Sequence, residues 1–335
     1  MEVLVEEFGS YLGKKSERLI IRREKKVVQE VPLFDLKQVL ITSRGVSISS
    51  DLIRECSERG VPIHFLSSTG EPYAQLFSAQ LTGTIRTRRE QLLAAMDQRG
   101  VTLSKLITAA KVKSQINLLK YFGKYRKEKE PELYKTLESN VAKMEEVVKE
   151  IADTRGETID ALRGTLMSLE ARAARYYWKS FADLLSPRQN FPGREHRGAV
   201  DPVNSLLNYG YGMLYSQVWR SVVQAGLDPF AGFLHADRPG KPSMVLDLAE
   251  EFRAQMVDRV VLAFIGKGTE VKMEGNRLAE KTRRQFAQRV IDRWNDTERY
   301  ERKKVTLRQI TLMQARHLAT FLRGERRYKP FVGGW

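Results

Sequence analysis

A chain of 335 residues, 42% hydrophobic and 29% charged, has the composition of a folded protein and room for two domains with their own cores. Its one cysteine, Cys56, excludes an intrachain disulfide and points to a reducing cytoplasm, and no apolar run approaches the length of a membrane span. The net charge of +16 sets up a field that draws polyanions, nucleic acid above all, with an anionic membrane surface or plain solubility as the competing readings.

The start, MEVLVEEFGS, is acidic and lacks the apolar core of a signal peptide. Three short β-branched runs follow, LIIRR, KVVQEV and QVLIT, separated by charged or Gly/Ser turns. Ser49 and Ser50 can cap a short helix, DLIRECSER, that stops at Gly60. VPIHFLS then reads as a strand, SSTGEP as a turn and YAQLF as a strand. From about residue 85 the apolar period becomes 3.6, with Leu92, Leu93 and Met96 on one helix and Leu106, Ile107, Ile116, Leu118 and Leu119 on a longer one. Residues 126–156 are so charged that parts read as a solvated helix. Helices continue over 157–185, 203–225, 245–265, 277–295 and 305–323, and the basic tail GERRYKPFVGGW reads as mobile. Strands followed by helices predict an α+β chain and argue against a doubly wound fold, with a β-rich domain over 1–82 and a larger all-helical domain over 83–335.

Two places in the helical half break the apolar pattern. The stripe Leu162, Leu166, Glu170, Ala173, Tyr177 carries a carboxylate at its centre, which needs a partner if buried; Arg163 or Arg175 is the bland choice. The second is residues 232–253, GFLHADRPGKPSMVLDLAEEFR. Here His235 precedes a helix on which Asp247 and Glu250, three apart, share one flank. An imidazole with carboxylates suits Mg²⁺ or Mn²⁺, while a solvated flank opposite Arg253 and a satisfied turn histidine suit the same spacing. Arg238 and Lys241 in the RPGK loop would position a phosphodiester beside such a site.

GFLHADRPGKPSMVLDLAEEFR resembles the signature of the universal CRISPR adaptation endonucleases, the first of the numbered Cas proteins. DPVNSLLNYGYGMLYS, the Glu170 helix with Tyr176, Tyr177 and Trp178, and VPIHFLSSTGEPYAQL also resemble segments of that family, in the same order. The resemblance implies a β-sandwich-like N-terminal domain that dimerises and a helical catalytic domain. It implies a metal-dependent DNA endonuclease and integrase that inserts spacers into a CRISPR array, working with a small second adaptation protein. Carried over, Glu170, His235 and Glu250 would be the catalytic metal ligands for Mg²⁺ or Mn²⁺, with Asp247 supporting them. The DNA would be double-stranded, branched or with free 3′-hydroxyl ends. Ser168 and Ala171 stand where the family often has glycines, and Met167 where it has an arginine, which puts one DNA contact in doubt.

Further bets follow from residue type. Asn204 and Asn208 are i,i+4 on one helix face and would either bond a neighbouring backbone or support the site. Arg253, Lys281, Arg283 and Arg284 are candidate DNA contacts, with Arg86, Arg88, Arg89, Arg302, Lys303, Lys304, Arg326, Arg327 and Lys329 as further basic clusters. Tyr209, Tyr211 and Tyr215 read as core aromatics with a wet hydroxyl, His64 as a core histidine, His317 as a surface residue, His196 as ambiguous and Cys56 as a packed thiol. The rival function is a basic, non-catalytic DNA-binding scaffold; a membrane-surface protein lacks lipidation motifs and a long amphipathic anchor.

Overall fold

The β-branched runs at the start of the chain pair into two four-stranded sheets. One has the order β1 (Glu2–Val5), β5 (Gln38–Ile41), β7 (Ile63–Leu66), β8 (Pro72–Leu76), parallel except for its last pair. The other has the order β4 (Lys26–Pro32), β3 (Arg18–Arg23), β2 (Tyr11–Lys15), β6 (Ser47–Ile48). Alternate residues of both sheets, Val3, Val5, Leu12, Leu19, Ile21, Val31, Val39 and Ile41, share one buried core with Leu52 and Cys56 of α1 (Ser50–Glu58). Ser49 caps that helix by accepting from Leu52 N. β2 was illegible in the sequence because its YLGKK has little apolar alternation. His64 is buried in β7, and burial pushes the Cys56 thiol up to about 11, as befits a packed side chain.

The structure, a computed structural model, describes residues 1–67, 69–76, 85–185, 191–195 and 199–334. The chain divides into two units, Met1–Leu81 and Thr82–Trp335.

In the second unit, α3 (Gln98–Gly123), α4 (Pro131–Asp153) and α5 (Ile159–Leu184) pack against one another, preceded by α2 (Ile85–Ala94). The highly charged α4 is not merely solvated. Leu137, Val141, Met144, Val147 and Ile151 fall at steps of three and four and are buried, while its charges line the outer face. α6 (Pro202–Gln224), capped by Asp201, is buried along most of its length.

The single helix expected over 245–265 is broken. α7 (Ser243–Ala249) gives way to a turn, then a π-helical segment (Ala254–Asp258) and α8 (Arg259–Gly266). The break lets the buried acids Asp247, Glu250, Glu251 and Asp258 face different partners. α9 (Glu280–Asn295) and α10 (Leu307–Leu322) complete the helices, each preceded by a short hairpin: β9 (Met273–Glu274) with β10 (Arg277–Leu278), and β11 (Thr297–Tyr300) with β12 (Lys303–Thr306). The chain is thus α+β, with strands first and a mostly helical remainder.

The tail does not behave as expected. Tyr328 and Phe331 are buried, and the Phe331 ring stacks on Phe252 with centroids 5.2 Å apart. Its apolar side chains, hidden in a sequence dominated by Arg, Lys and Gly, are what anchor it. Among the described residues no helix is long and apolar enough to cross a membrane.

Candidate active site

Glu170 lies in the middle of α5, in the stripe between buried Leu166 and Ala173. Glu250 follows the last turn of α7 and is 2% exposed. Their carboxylates meet at one point, the Nζ of Lys111 from α3, which lies 2.5 Å from Glu170 Oε1 and 2.7 Å from Glu250 Oε2. The partner demanded by Glu170 is therefore Lys111, not Arg163 or Arg175. Arg163 instead donates to the carbonyls of Phe233 (3.0 Å) and Leu234 (3.1 Å), tying the His235 loop to the helix that carries Glu170.

That loop is held from its other side by Asp247. The fully buried carboxylate accepts the backbone N–H of Phe233 (2.6 Å), Leu234 (3.0 Å) and His235 (3.0 Å), and its Oδ1 lies 2.6 Å from His235 Nδ1. A carboxylate only accepts, so Nδ1 carries the proton and Nε2 is left with its lone pair. Nε2 faces Glu250 at 3.9 Å from Oε1. Gly232 lets the loop approach: a Cβ there would sit 2.6 Å from the Ser243 backbone carbon at the start of α7.

Burial pushes the Glu250 carboxyl up, but the charges of Arg253 and Lys111 outweigh it and hold it down at about 2. Burial also opposes the charge on Lys111, and Glu250 and Glu170 more than restore it, so its pKa lies above the usual range. The pocket therefore holds an ionised Glu250 beside a charged Lys111.

Among the described residues, no three His, Cys, Asp or Glu side chains stand together at ligand separation, and Lys111 Nζ lies between the Glu170 and Glu250 carboxylates. The donor chemistry nevertheless fits a divalent ion. Two carboxylates already converge on a cation, and the third donor is an imidazole with its far nitrogen fixed by a carboxylate, the usual support of a metal-bound histidine. Asp247, engaged by four donors, is placed to orient His235.

Other expected site residues fall at varied distances from this point. Arg253 was expected to contact DNA, but its guanidinium is largely buried. It pairs with Glu250 (3.1 Å), donates to Tyr215 Oη (2.6 Å) and lies over the Tyr211 ring, so it shapes the pocket from within. Asn204 and Asn208 receive the two arms of Arg194 (2.9 and 2.6 Å), which lies over Tyr211 and Trp178. Arg238 and Lys241 do sit on the loop between His235 and α7; Arg238 is exposed, and burial and its charge lower the Lys241 pKa. Lys281 and Arg284 are exposed on α9, Arg283 half-buried, and Arg284 pairs with Glu280. Arg302 stands with Glu301 at the tip of the β11–β12 hairpin, and Lys303 opens β12 opposite Tyr300. His317 is half-buried with its ring stacked on Tyr300, 3.0 Å from the hydroxyl, rather than free on the surface. His196 lies outside the described residues.

Three residues escaped sequence reasoning. Lys111 shares the buried face of α3 with Ile107, Ser114 and Leu118, a charge on a buried face as Glu170 is. Asp258 accepts hydroxyls from Tyr177 and Tyr211, both at 2.6 Å, joining the π-helical segment to α5 and α6, so those hydroxyls are not wet. Glu251 accepts from Tyr328 Oη (2.5 Å), Phe331 N (2.7 Å) and Gln314 Nε2 (3.1 Å), fastening the tail beside Glu250.

The family model described as CRISPR associated protein Cas1 matches residues 3–291. The chain is 36% identical to CRISPR-associated endonuclease Cas1 1 of Archaeoglobus fulgidus, covering 100% of both chains. It is 32% identical to CRISPR-associated endonuclease Cas1 of Korarchaeum cryptofilum, covering 96% of this chain and 94% of that one. In fold it is similar to a casposase bound to integration product (TM-score 0.84, 21% identity, 99% and 93% of the two chains). It is also similar to a Cas1 protein from Thermotoga maritima (TM-score 0.78, 18% identity, 97% and 98%). A match along most of the sequence, full-length relatives above 30% identity and one shared fold leave a single assignment: the chain belongs to the Cas1 family of CRISPR-associated proteins.

Proposed function

We propose that the chain is a divalent-metal-dependent DNA endonuclease and integrase of CRISPR adaptation, which cuts and joins phosphodiesters to insert spacers. The observation that carries this reading is the convergence of Glu170 and Glu250 on one cation position, faced by a His235 ring whose Nδ1 is fixed by Asp247. The endonuclease names of the full-length relatives and the net charge of +16 support a DNA substrate.

Glu170, His235 and Glu250 would hold Mg²⁺ or Mn²⁺, which when bound supplies Lewis-acid stabilisation of charge on a phosphoryl oxygen and eases ionisation of the attacking hydroxyl. Asp247 keeps the proton on His235 Nδ1 and the lone pair of Nε2 toward the site. Arg253 holds one oxygen of Glu250, limiting the directions in which that carboxylate can turn. Arg238 and Lys241 place positive charge at the loop edge, where flanking phosphates would lie. In the joining reaction a 3′-hydroxyl oxygen forms a bond to a target-strand phosphorus and the bond to the displaced 3′-oxygen breaks, which then takes the proton. With water in place of the hydroxyl, the same exchange is hydrolysis. One phosphodiester is lost for each one made in joining, so no nucleotide cofactor is required.

By the same reading the first unit forms a homodimer, and the assembly includes the small second adaptation protein. The decisive experiment compares wild type with His235→Ala and Glu170→Gln on branched DNA with Mn²⁺ or Mg²⁺. Cleavage should fall by about 100-fold or more while DNA affinity is kept. Unchanged cleavage in His235→Ala would sink the metal assignment and return the scaffold reading.

A further inference from the structure

Glu170 and Glu250 come from different elements, yet one ammonium joins them. Lys111 reaches them from the middle of α3, where its neighbours Ile107, Ala110, Val112 and Ser114 are buried and its own side chain is 11% exposed. A lysine in such a wall is expensive to bury, and packing alone would favour an unbranched apolar residue there. Among the described residues its charge is matched by the two carboxylates at 2.5 and 2.7 Å. Arg253 engages Glu250 through the other oxygen, Oε1, at 3.1 Å. The link between the two acids thus runs through Lys111 Nζ.

We propose that Lys111 is a built-in placeholder cation: its ammonium holds Glu170 and Glu250 together in the metal-free protein and gives up that position when a divalent ion enters. The inference rests on the reading of Glu170, His235 and Glu250 as a metal site. A divalent ion needs the same carboxylate oxygens at about 2.0–2.6 Å, so ion and ammonium exclude each other from one point by size and by charge. Two consequences follow. Without metal, the acids stay paired and the pocket stays shaped. With metal, binding is weaker than the donors alone would give, because each ion must displace a paired ammonium.

The test uses the full chain stripped of metal, with Mn²⁺ as the probe. Lys111→Met keeps the unbranched stem and removes the charge. The metal-free variant should melt below wild type, Lys111→Met/Glu250→Gln should recover the loss, and Lys111→Met should bind Mn²⁺ about tenfold tighter or more by calorimetry. Lys111→Arg, which keeps the charge, should show no tightening. In wild type, acylation of Lys111 followed by mass spectrometry should be slow without Mn²⁺ and faster with it, a readout that needs no variant to fold. Equal or weaker Mn²⁺ binding by Lys111→Met, or labelling of Lys111 indifferent to Mn²⁺, overturns the proposal while leaving the metal site standing. Absence of Mn²⁺ binding in both wild type and Lys111→Met removes the metal reading itself. Lys111 would then be a structural ion pair, shown by the recovery of stability with Glu250→Gln.

Discussion

Asp247→Ala removes one carboxylate on which the His235 loop depends. Three backbone N–H groups, from Phe233, Leu234 and His235, would lose their acceptor, as would His235 Nδ1. Phe233 and Leu234 are buried, so water reaches their amides poorly. An unpaired buried donor costs about 1–3 kcal/mol, and allowing for partial hydration of the cavity the sum is about 4 kcal/mol. For a unit of this size that is a fall in Tm of roughly 10 °C. Asp247→Asn separates structure from chemistry. Its amide oxygen can still accept from the backbone, so stability should fall by only about 1–2 kcal/mol. Its NH₂, however, must face His235 Nδ1, which moves the ring proton to Nε2 and removes the lone pair that faces Glu250. Mn²⁺ affinity should then drop by about 10–100-fold. Urea titration of metal-free protein and calorimetric Mn²⁺ binding, run on both variants, decide the matter. If Asp247→Ala lies within about 1 kcal/mol of wild type, or Asp247→Asn binds Mn²⁺ like wild type, Asp247 does not hold the loop as argued.

Gly232→Ala would drive a Cβ to 2.6 Å from the Ser243 backbone, so it should cost about 1–3 kcal/mol and weaken Mn²⁺ binding by shifting His235; denaturation and calorimetry read both. Tyr211→Phe takes one of two hydroxyl donors from buried Asp258 and should cost about 1.5–3 kcal/mol in urea titration. Burial raises the Glu251 carboxyl from 4.5 to about 8, against the donors from Tyr328, Phe331 and Gln314. A carboxyl raised on folding contributes stability that is full below its unfolded value and lost as pH rises through the folded one. Wild-type Tm should therefore fall between about pH 5 and 9 relative to Glu251→Gln, and parallel curves would refute the shift.

β-branched runs between turns, and then a 3.6 period, were enough to read strands followed by helices: LIIRR and QVLIT are strands buried over consecutive residues, and the Leu162–Tyr177 stripe buries one helix face. Glu170 was legible as a carboxylate out of place in an apolar stripe, and His235, Asp247 and Glu250 by their closeness in sequence. What joins them was not. Lys111 lies 59 residues from Glu170, and nothing local in α3 says which acid an inward lysine will meet. Arg253 has the sequence environment of a surface contact, and only the turn after α7 directs it inward. Glu251 looks like one more charge on a helix, and its partners arrive from residues about 80 positions later. Single-sequence patterns encode local geometry; pairings across the chain depend on the fold itself.

The stretch from Asp247 to Asp258 buries four acids, and each answers to a different part of the chain: residues 233–235, Lys111, the tail, and the tyrosines of α5 and α6. None of these carboxylates can leave water favourably until its partner has arrived. The stretch is therefore a poor folding nucleus. It should consolidate on the native side of the rate-limiting barrier, so substitutions at its acids should speed unfolding far more than they slow folding. The candidate site would then be among the last parts of the chain to settle and, in native-state hydrogen exchange, among the first to open.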